Sequence, residues 1–410
     1  MKVTMVIPSY WSRESNLGFK DGDAIYDHPT PLDCEGTLLR TIESINGLRD
    51  KDFRLVVIAA PTAEDIATEV EEMVAGIVKS ASASPVEMLT FAPSNLKKIN
   101  NLLIDAGKEE YANLIKLRGY SNIRNLCLFI PHILNSEVAL LIDDDEVFED
   151  PDFVSKAKEF IGKKHNGVTI NGIAGYYLQQ DGSYRIKKTL SPWMEYWDQY
   201  EKMNAAFDKI IGAEPRIKKT PFVFGGNMAI HRNLFTVVPF DPNVPRGEDI
   251  DYLINARMFG FHFFLDNRLA IKHLPPPKTS PVWMGLREDI YRFVYERAKI
   301  RSQRQIDGMV RVSPDDFDPY PGAFLKEHLE EKIEKSSRLL SEEYLAKADI
   351  QGSKEALNNI ALSKADALPK FDAFQNLCKL QKQWHKFMEY SSGKEIHPEI
   401  KKIIESGRMN

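Results

Sequence analysis

LLIDDDEVFEDPDF, residues 140–153, joins an apolar run to a cluster of acidic side chains at 143–146. A strand covered on both faces reads as a short apolar run, so the run from Ala139 predicts a buried strand. Open α/β sheets bind ligands beyond the carboxyl ends of their strands. Crowded carboxylates repel one another without a cation, and oxygen ligands favour Mg2+ or Mn2+ with positions left for phosphates. The stretch predicts a metal that bridges the protein to a nucleotide diphosphate, with a solvated acidic turn as the alternative.

The composition is that of an ordinary globular protein. The chain has 410 residues, 43% of them hydrophobic, which gives room for two or three domains and a sizeable core. A formal net charge of −5 argues against a nucleic-acid partner, which more often requires a basic excess. Cys34, Cys127 and Cys378 are too widely spaced for a disulfide framework or a zinc site. With no secretion signal or membrane-length apolar run, we expect a cytoplasmic protein.

The amino-terminal segment reads as the first strand of an α/β sheet. Residues 3–8 are apolar, and because proline cannot donate to a central ladder, the strand is expected to end at Pro8. Ser9 and Tyr10 would then lie at the carboxyl end of the sheet, able to meet a base or a sugar, unless they form a plain turn. A helical pattern over 35–48 and a second strand complete a βαβ unit.

GYSNIRN, residues 119–125, predicts the start of a helix. Ser121 is a favourable cap, and Pro131 is expected to kink or split the helix that follows. Arg124 lies in the first turn, where the helix dipole favours an anion over a cation. A cation kept there is consistent with a bound phosphate, although an ordinary surface arginine is the alternative.

A glycine pair marks the next candidate region. In PFVFGGNMAIHRNLF, residues 221–235, Gly225 and Gly226 form a turn between two strand-like runs. Glycine has no Cβ, so a ligand or another backbone segment can approach such a turn closely.

RGEDIDYLINARMFG, residues 246–260, opens a helix with Glu248 and Asp249 in its first turn. Acidic residues also take this position for capping alone. His273 follows at the end of a later strand-like run. A histidine near an acidic cluster is a candidate third metal ligand, and a structural histidine is the alternative.

The order and approximate spacing of six segments resemble the family 2 type of GT-A nucleotide-sugar glycosyltransferases: VIPSYW, RTIESINGL, GYSNIRN, LLIDDDE, FGGNMAIHRNLF and RGEDIDYLINARMFG. No single segment is specific, but six in this order are strong together. The resemblance implies an α/β fold with a GT-A Rossmann-like, mostly parallel sheet and helices on both faces. It implies a catalytic domain over 1–280 that binds both the nucleotide sugar and the acceptor.

The same resemblance assigns roles to particular residues. Nucleotide-sugar binding is assigned to Pro8, Ser9, Tyr10, Arg124, Asp143 and Asp144. A divalent metal, Mn2+ or Mg2+, is assigned to Asp143, Asp145 and His273. Acceptor binding is assigned to Gly225, Gly226, Asn227 and Glu248, and the catalytic base is Asp249. Counting back from Pro151 leaves a second register open, in which Asp144 and Glu146 hold the metal.

These roles imply a glycosyltransferase, hexosyltransferase-like, that moves a sugar from a nucleotide-diphospho-sugar donor to an acceptor hydroxyl. The acceptor is left open among saccharide, small molecule and lipid-linked compound. The first turn of the helix is expected to keep Asp249 ionised as general base. Direct attack opposite the leaving group would invert the anomeric carbon. A retaining transferase of the glucosyl- or mannosylglycerate-synthase kind and a non-catalytic sugar- or nucleotide-binding protein remain alternatives.

Four aromatic residues at helical spacing precede the glycine pair: Trp193, Tyr196, Trp197 and Tyr200. Spacings of three and four put the rings on one face of a helix. Core packing is the main interpretation, and stacking against a sugar is the alternative.

Residues 281–410 read as a separate helical region. An amphipathic pattern over 283–300 is expected to pack against the catalytic domain, with peripheral contact to anionic lipid not favoured. A Pro/Asp-rich linker at 313–322 precedes two further helical patterns, 324–345 and 371–388. These helices are expected to cover the acceptor side or to mediate homo-oligomer assembly.

Overall fold

The computed structural model describes residues 1–20, 22–81, 85–276 and 280–408. Its strands are β1 (Val3–Ser12), β2 (Thr30–Pro31), β3 (Arg54–Pro61), β4 (Glu87–Phe91), β5 (Val138–Ile142), β6 (Glu146–Val147), β7 (Lys164–His165), β8 (Val168–Thr169), β9 (Gly172–Leu178), β10 (Ile217–Lys219), β11 (Asn227–His231) and β12 (Phe263–His273). Its helices are α1 (Leu38–Ser44), α2 (Ala67–Ser80), α3 (Pro93–Asp105), α4 (Glu109–Ala112), α5 (Tyr120–Ile133), α6 (Phe153–Phe160), α7 (Gln199–Ile210), α8 (Arg232–Phe235), α9 (Glu248–Met258), α10 (Val282–Arg301), α11 (Leu329–Ala346), α12 (Ile350–Lys364), α13 (Ala373–Ser391) and α14 (Ile396–Glu405).

One large sheet forms the centre of the structure, with the order β10-β12-β9-β11-β5-β1-β3-β4. Strands β5, β1, β3 and β4 are parallel neighbours, and β9 pairs in parallel with β12. The antiparallel strand β11 lies between β5 and β9 and joins the two parallel parts. The predicted fold class, a mostly parallel α/β sheet followed by C-terminal helices, is confirmed.

Hydrophobic cores cover both faces of the sheet. Along β1, Val3, Met5 and Ile7 belong to one core and Val6 to the other, as the alternation of side chains along a strand requires. The first core contains the buried side chains of α1, α2 and α6. The second contains those of α3, α5 and α9 together with the C-terminal helices. Helices on both faces therefore hold the carboxyl ends of the strands at one edge.

Strand β1 does not end at Pro8, and that prediction is wrong. The strand continues to Ser12, with Pro8 paired to Ile58 of β3. On its other side, the pairing of β1 with β5 stops at Val6. Pro8 therefore needs no N–H for a ladder on that side, which is where proline is tolerated in a sheet.

Helix α5 also departs from the sequence-based expectation. Its cap position is Gly119, at φ +84°, where a residue with a Cβ would be strained. The hydroxyl of Ser121 instead donates to the carbonyl of Val244, at 3.0 Å. The helix runs on through Pro131 to Ile133, so the proline does not split it; the missing N–H removes one hydrogen bond, and only two helical residues follow it.

The C-terminal helices pack on the sheet-bearing part of the chain. In α13, Nε1 of Trp384 donates to the carbonyl of Phe235, at 2.8 Å. After α14, the carbonyl of Gly407 accepts from the backbone N–H of Thr90 in the edge strand β4, at 2.9 Å. Among the described residues, we find no helix with both the length and the apolar character needed to cross a bilayer.

Residues 313–322 form a packed segment and not the predicted linker. They contain a 3₁₀ turn at Pro314–Phe317, and both Phe317 and Tyr320 are buried in the core. The predicted boundary between 280 and 281 remains a prediction, and one hydrophobic core contains side chains from both sides of it.

Lys299 of α10 lies in a buried ionic cluster behind the functional site. It forms ion pairs with Asp251 and Asp241, the latter at 3.4 Å, and its side chain is fully buried. Its Nζ also donates to Asn255, and Tyr295 donates to Asp241. Removal of the only lysine in this cluster leaves buried carboxylates without their cation.

We expect Lys299→Met to lower the free energy of unfolding by about 3–5 kcal/mol, because breaking a buried ion pair leaves an uncompensated charge. Urea denaturation measures the change. Lys354→Met, at an exposed position of α12, is the matched control and should leave the midpoint nearly unchanged. Equal effects of the two substitutions would contradict the assigned role of the cluster.

Candidate active site at the carboxyl edge of the sheet

A cavity of about 660 Å³ opens beyond the carboxyl ends of β1 and β5. Nine of the predicted site residues line it: Tyr10, Arg124, Asp143, Asp144, Asp145, Gly225, Glu248, Asp249 and His273. Pro8, Ser9, Gly226 and Asn227 do not line it and lie behind its wall. This is the edge at which ligands bind in open α/β sheets.

The acidic turn after β5 divides its side chains between the cavity and the interior. Asp144 is buried and accepts a hydrogen bond of 2.6 Å from the hydroxyl of Ser9, which in turn accepts from Nε1 of Trp11. Burial raises the pKa of Asp144 well above its usual value. Ser9 therefore orients this carboxyl group from beneath, and no surface of Ser9 is exposed to a ligand.

Asp145 faces the predicted histidine across the cavity wall. Nε2 of His273 lies 3.4 Å from Oδ2 of Asp145. The imidazole is stacked on the ring of Tyr177, with centroids 4.6 Å apart, and the pairing of β12 with β6 places His273 beside Glu146. The structure thus brings together two predicted metal ligands that are far apart in the sequence.

Glu146 lies beneath this surface, fully buried in β6. Its Oε2 accepts from the backbone N–H of Asp143, at 3.1 Å, while Oε1 has no hydrogen-bond partner among the described residues. Burial, with the charges of Asp143 and Asp145, raises its pKa well above the usual range. Of the two registers left open by the sequence, the one with Asp143 and Asp145 has both carboxyl groups on the cavity.

Arg124 is a buried cation, with 3% of its side chain exposed. Its Nη2 lies 2.8 Å from Oδ1 of Asp143, and its Nε donates to Oε1 of Glu248, at 3.1 Å. Burial by itself lowers the pKa of Arg124, but the charge of Asp143 and the other acids hold it above its usual value. Nη1 has no hydrogen-bond partner among the described residues. A buried guanidinium with an unused N–H beside a cavity can bind an anionic oxygen.

The glycine pair makes room for these charged groups. A Cβ on Gly225 would lie 2.7 Å from Nη2 of Arg124, and one on Gly226 would lie 2.2 Å from Oε1 of Glu146. The sequence suggested that a ligand or another backbone segment approaches this turn. In the structure, charged side chains also approach it closely. Asn227 is fully buried, and its Nδ2 donates to the carbonyls of Tyr176 and Leu269, at 3.1 Å each. These hydrogen bonds join neighbouring strands. The side chain of Asn227 does not line the cavity, although the sequence predicted that it binds the acceptor.

Glu248 and Asp249 occupy the first turn of α9, after Gly247 at φ +70°. Asp249 accepts from the backbone N–H groups of Gly225 and Ile250, at 2.9 and 2.8 Å. Burial nevertheless raises the pKa of Asp249, against these hydrogen bonds and the charges of Arg292 and Arg124.

Burial also raises the pKa of Glu248, to about 7, despite its ion pair with Arg124. For Asp249, the helix terminus and desolvation shift the pKa in opposite directions, and the expectation that the first turn keeps this side chain ionised stays a prediction.

Tyr10 belongs to a cluster of three tyrosine rings. Its centroid lies 4.4 Å from that of Tyr26 and 5.3 Å from that of Tyr120. Its hydroxyl is buried without a hydrogen-bond partner among the described residues. Tyr10 thus contributes a largely buried ring to the lining of the cavity.

Several cavity residues were not predicted from the sequence. Arg292 of α10 packs against Gly247, where an added Cβ would lie 1.8 Å from its Nη1. It donates to the hydroxyl of Tyr320, at 3.0 Å, and pairs with Asp289, at 3.1 Å. The sequence contained one signal for this pair: Asp289 and Arg292 are three positions apart in a helical pattern, which places their side chains next to each other. Tyr177 carried no such signal, because its role depends on strand pairing.

A divalent cation is compatible with the groups at the acidic turn. No group of three or more His, Cys, Asp or Glu side chains in the described ranges is placed so that all of them could hold one metal ion. Mg2+ or Mn2+ needs only one or two carboxylates when waters and substrate phosphates supply the remaining ligands. Asp143 and Asp145 supply carboxylate oxygens at the cavity, and His273 supplies a ring nitrogen.

Comparison with known proteins gives structural likenesses only. No family model matches the sequence, and no curated protein matches it. The mannosyltransferase PcManGT from Pyrobaculum calidifontis, in complex with GDP-Man and Mn2+, is 13% identical, with 95% of this chain and 84% of that chain covered and a TM-score of 0.41.

A mycobacterial protein is 15% identical, with 71% and 74% covered and a TM-score of 0.36. GalNAc-T7 with UDP, GalNAc and Mn2+ is 14% identical, with 74% and 52% covered and a TM-score of 0.31. Two of the three are glycosyltransferases, the class that the sequence resembles. Because all three TM-scores lie below 0.5, the proposed function rests on the geometry of the site.

Proposed function

We propose that this protein is a metal-dependent glycosyltransferase that transfers a sugar from a nucleotide-diphospho-sugar to an acceptor hydroxyl with inversion. The observation that carries the proposal is the buried Arg124, which lines the cavity, pairs through Nη2 with Asp143 and has an Nη1 without a hydrogen-bond partner among the described residues. A fixed guanidinium next to a divalent-cation site is suited to a diphosphate, which offers several anionic oxygens.

Asp143 and Asp145 would hold the cation, and His273, whose Nε2 lies 3.4 Å from Oδ2 of Asp145, is the third candidate ligand. When bound, a divalent cation stabilises the negative charge that develops on the departing diphosphate. Arg124 contributes to the same stabilisation through its own charge and its free N–H. Tyr10 borders this end of the cavity, where the nucleoside would lie.

Asp249 is the proposed general base. A Cβ placed on Gly225 would lie 2.7 Å from Nη2 of Arg124 and 3.6 Å from Cβ of Asp249, so this glycine separates the phosphate side from the base. The N–H groups of Gly225 and Ile250 fix the orientation of the Asp249 carboxylate. A base on the far side of the sugar from the diphosphate removes the acceptor proton during direct attack, which inverts the anomeric carbon.

The pH dependence should reveal this base. Asp249 acts only when deprotonated, so the rate falls as the pH drops through its pKa. Since burial raises that pKa, the fall should begin at a higher pH than for an exposed aspartate, whose pKa is about 3.9. The charge of Arg292 opposes this rise. Arg292→Met should therefore move the acid limb of kcat to higher pH, whereas Arg292→Lys should move it less; coincident limbs would contradict the assignment.

The reaction itself tests the proposal. Purified protein is incubated with a panel of UDP- and GDP-linked sugars, Mn2+ and dilute methanol, and the methyl glycoside is analysed by NMR. Release of nucleotide that stops with EDTA, and a product anomer opposite to that of the donor, are the expected results. A product of the same anomer would overturn inversion and favour a retaining transferase. If the protein bound one donor but turned over none of them, the non-catalytic binding protein would be the better interpretation.

A further inference from the structure

The cavity has a polar end and an apolar end, which meet at Asp249. The polar end contains the charged groups described above. The apolar end is lined mainly by Trp193, Trp197, Met203, Phe207, Phe222 and Phe224. Phe224 precedes Gly225, whose N–H donates to Asp249, and Ile250 follows Asp249. The proposed base therefore stands where the apolar wall begins.

Packed rings make this wall rigid. Phe207, Phe222 and Phe224 form a cluster with centroids 5.1–5.6 Å apart, and Phe224 lies 4.7 Å from the ring of Tyr177. Trp197 packs against Phe324 of the C-terminal region, at 5.0 Å. Aromatic surface held in this way contacts apolar groups at little conformational cost.

The polar atoms near this wall bind one another. Nε1 of Trp197 donates to Gln199, and Gln199 donates to the hydroxyl of Tyr320. Lys188 donates to the hydroxyl of Tyr200 and also lies over its ring, 5.1 Å from the centroid. A free saccharide buried here would leave hydroxyl groups without partners, which is unfavourable. An alkyl or aryl group has no such requirement.

We propose that the acceptor is an amphiphile, a hydroxyl compound with an apolar alkyl or aryl body that binds against this aromatic wall. The inference rests on the proposed function, because Asp249 defines where the reacting hydroxyl lies. In the reaction, a bond forms between the acceptor oxygen and the anomeric carbon as the bond from that carbon to the diphosphate oxygen breaks. The diphosphate leaves with the electron pair, and Asp249 takes the acceptor proton.

Tryptophan fluorescence provides a test without a donor, since Trp193 and Trp197 line the apolar end. The probes are n-octyl β-D-glucoside, kept below its micelle concentration, and D-glucose, which has the same polar head without the tail. Met203→Gln adds a polar group to the wall at a half-buried position of α7. Met73→Gln is the matched control, at an exposed position of α2 on the opposite face of the sheet.

We expect saturable binding of the octyl glucoside with a dissociation constant at least tenfold below that of glucose. Met203→Gln should weaken this binding at least fivefold, and Met73→Gln should not change it. Equal affinities for the two probes, no saturable response, or a response insensitive to Met203→Gln would each overturn the inference. Calorimetry of nucleotide binding on the same samples separates the two proposals, because it tests the polar end alone.

Discussion

Asp249→Asn should lower kcat for sugar transfer by about 10²–10⁴-fold, the range that a positioned general base contributes. Asparagine keeps the size of the side chain and can still accept from one of the two N–H groups that Asp249 binds, but it cannot take a proton. Nucleotide binding should remain within about twofold, because Asp249 does not belong to the phosphate side of the cavity. Initial rates and calorimetry on the same preparation measure the two effects.

Asp105→Asn is the matched control, at an exposed position of α3. It should change neither the rate nor nucleotide binding. If Asp249→Asn retained full transfer activity, another group would be the base. If it lost nucleotide binding in proportion to the rate, Asp249 would have a structural role instead.

Arg124→Met should weaken binding of the nucleoside diphosphate by about 10–100-fold, because the diphosphate loses hydrogen bonds from a charged group. It should also lower the free energy of unfolding by about 3–5 kcal/mol, because Asp143 and Glu248 lose a buried partner. Calorimetry and urea denaturation measure these two changes separately.

The double substitution Arg124→Met/Glu248→Gln distinguishes ligand binding from charge compensation. Removal of both members of a buried pair costs less than removal of one, so the double variant should regain part of the lost stability. It should not regain affinity for the nucleotide. Recovery of affinity together with stability would mean that Arg124 only neutralises the carboxylates.

The sequence predicted the parts of the site that depend on local pattern. An apolar run followed by acids gave the end of β5. The sequence also predicted a helix containing Arg124, but this residue is the fifth of α5 and lies beyond the predicted first turn, because the helix begins at Tyr120. The sequence could not give the contacts between distant segments. Ser9 and Asp144 are separated by 135 positions, and their hydrogen bond exists only because β1 and β5 are neighbours.

Two rules applied to the sequence did not include the tertiary context. Proline is excluded from a central ladder, but Pro8 lies beyond the point where β5 stops pairing with β1, so the predicted end of the strand was wrong. A helix terminus favours an ionised aspartate, but burial at Asp249 raises the pKa despite the favourable hydrogen bonds. Both effects depend on the environment supplied by other segments.

The C-terminal helices also gained a role that their pattern did not predict in detail. For α10 the sequence predicted packing against the catalytic domain, and its Leu286, Asp289 and Arg292 line the cavity. An arginine within an amphipathic pattern gives no indication of which partner it will meet. Its contact with Gly247, next to the first turn of α9, depends on how α10 packs against that turn.

Calorimetry of the purified protein against UDP and GDP, with Mn2+, with Mg2+ and with EDTA, tests the central claim most directly. Binding of one nucleotide that requires the metal, and that is lost in Asp145→Asn, is the predicted result. Binding that is unchanged by EDTA and by Asp145→Asn would contradict the metal site at the acidic turn. No binding under any condition would contradict the transferase proposal and leave the acidic turn without a ligand.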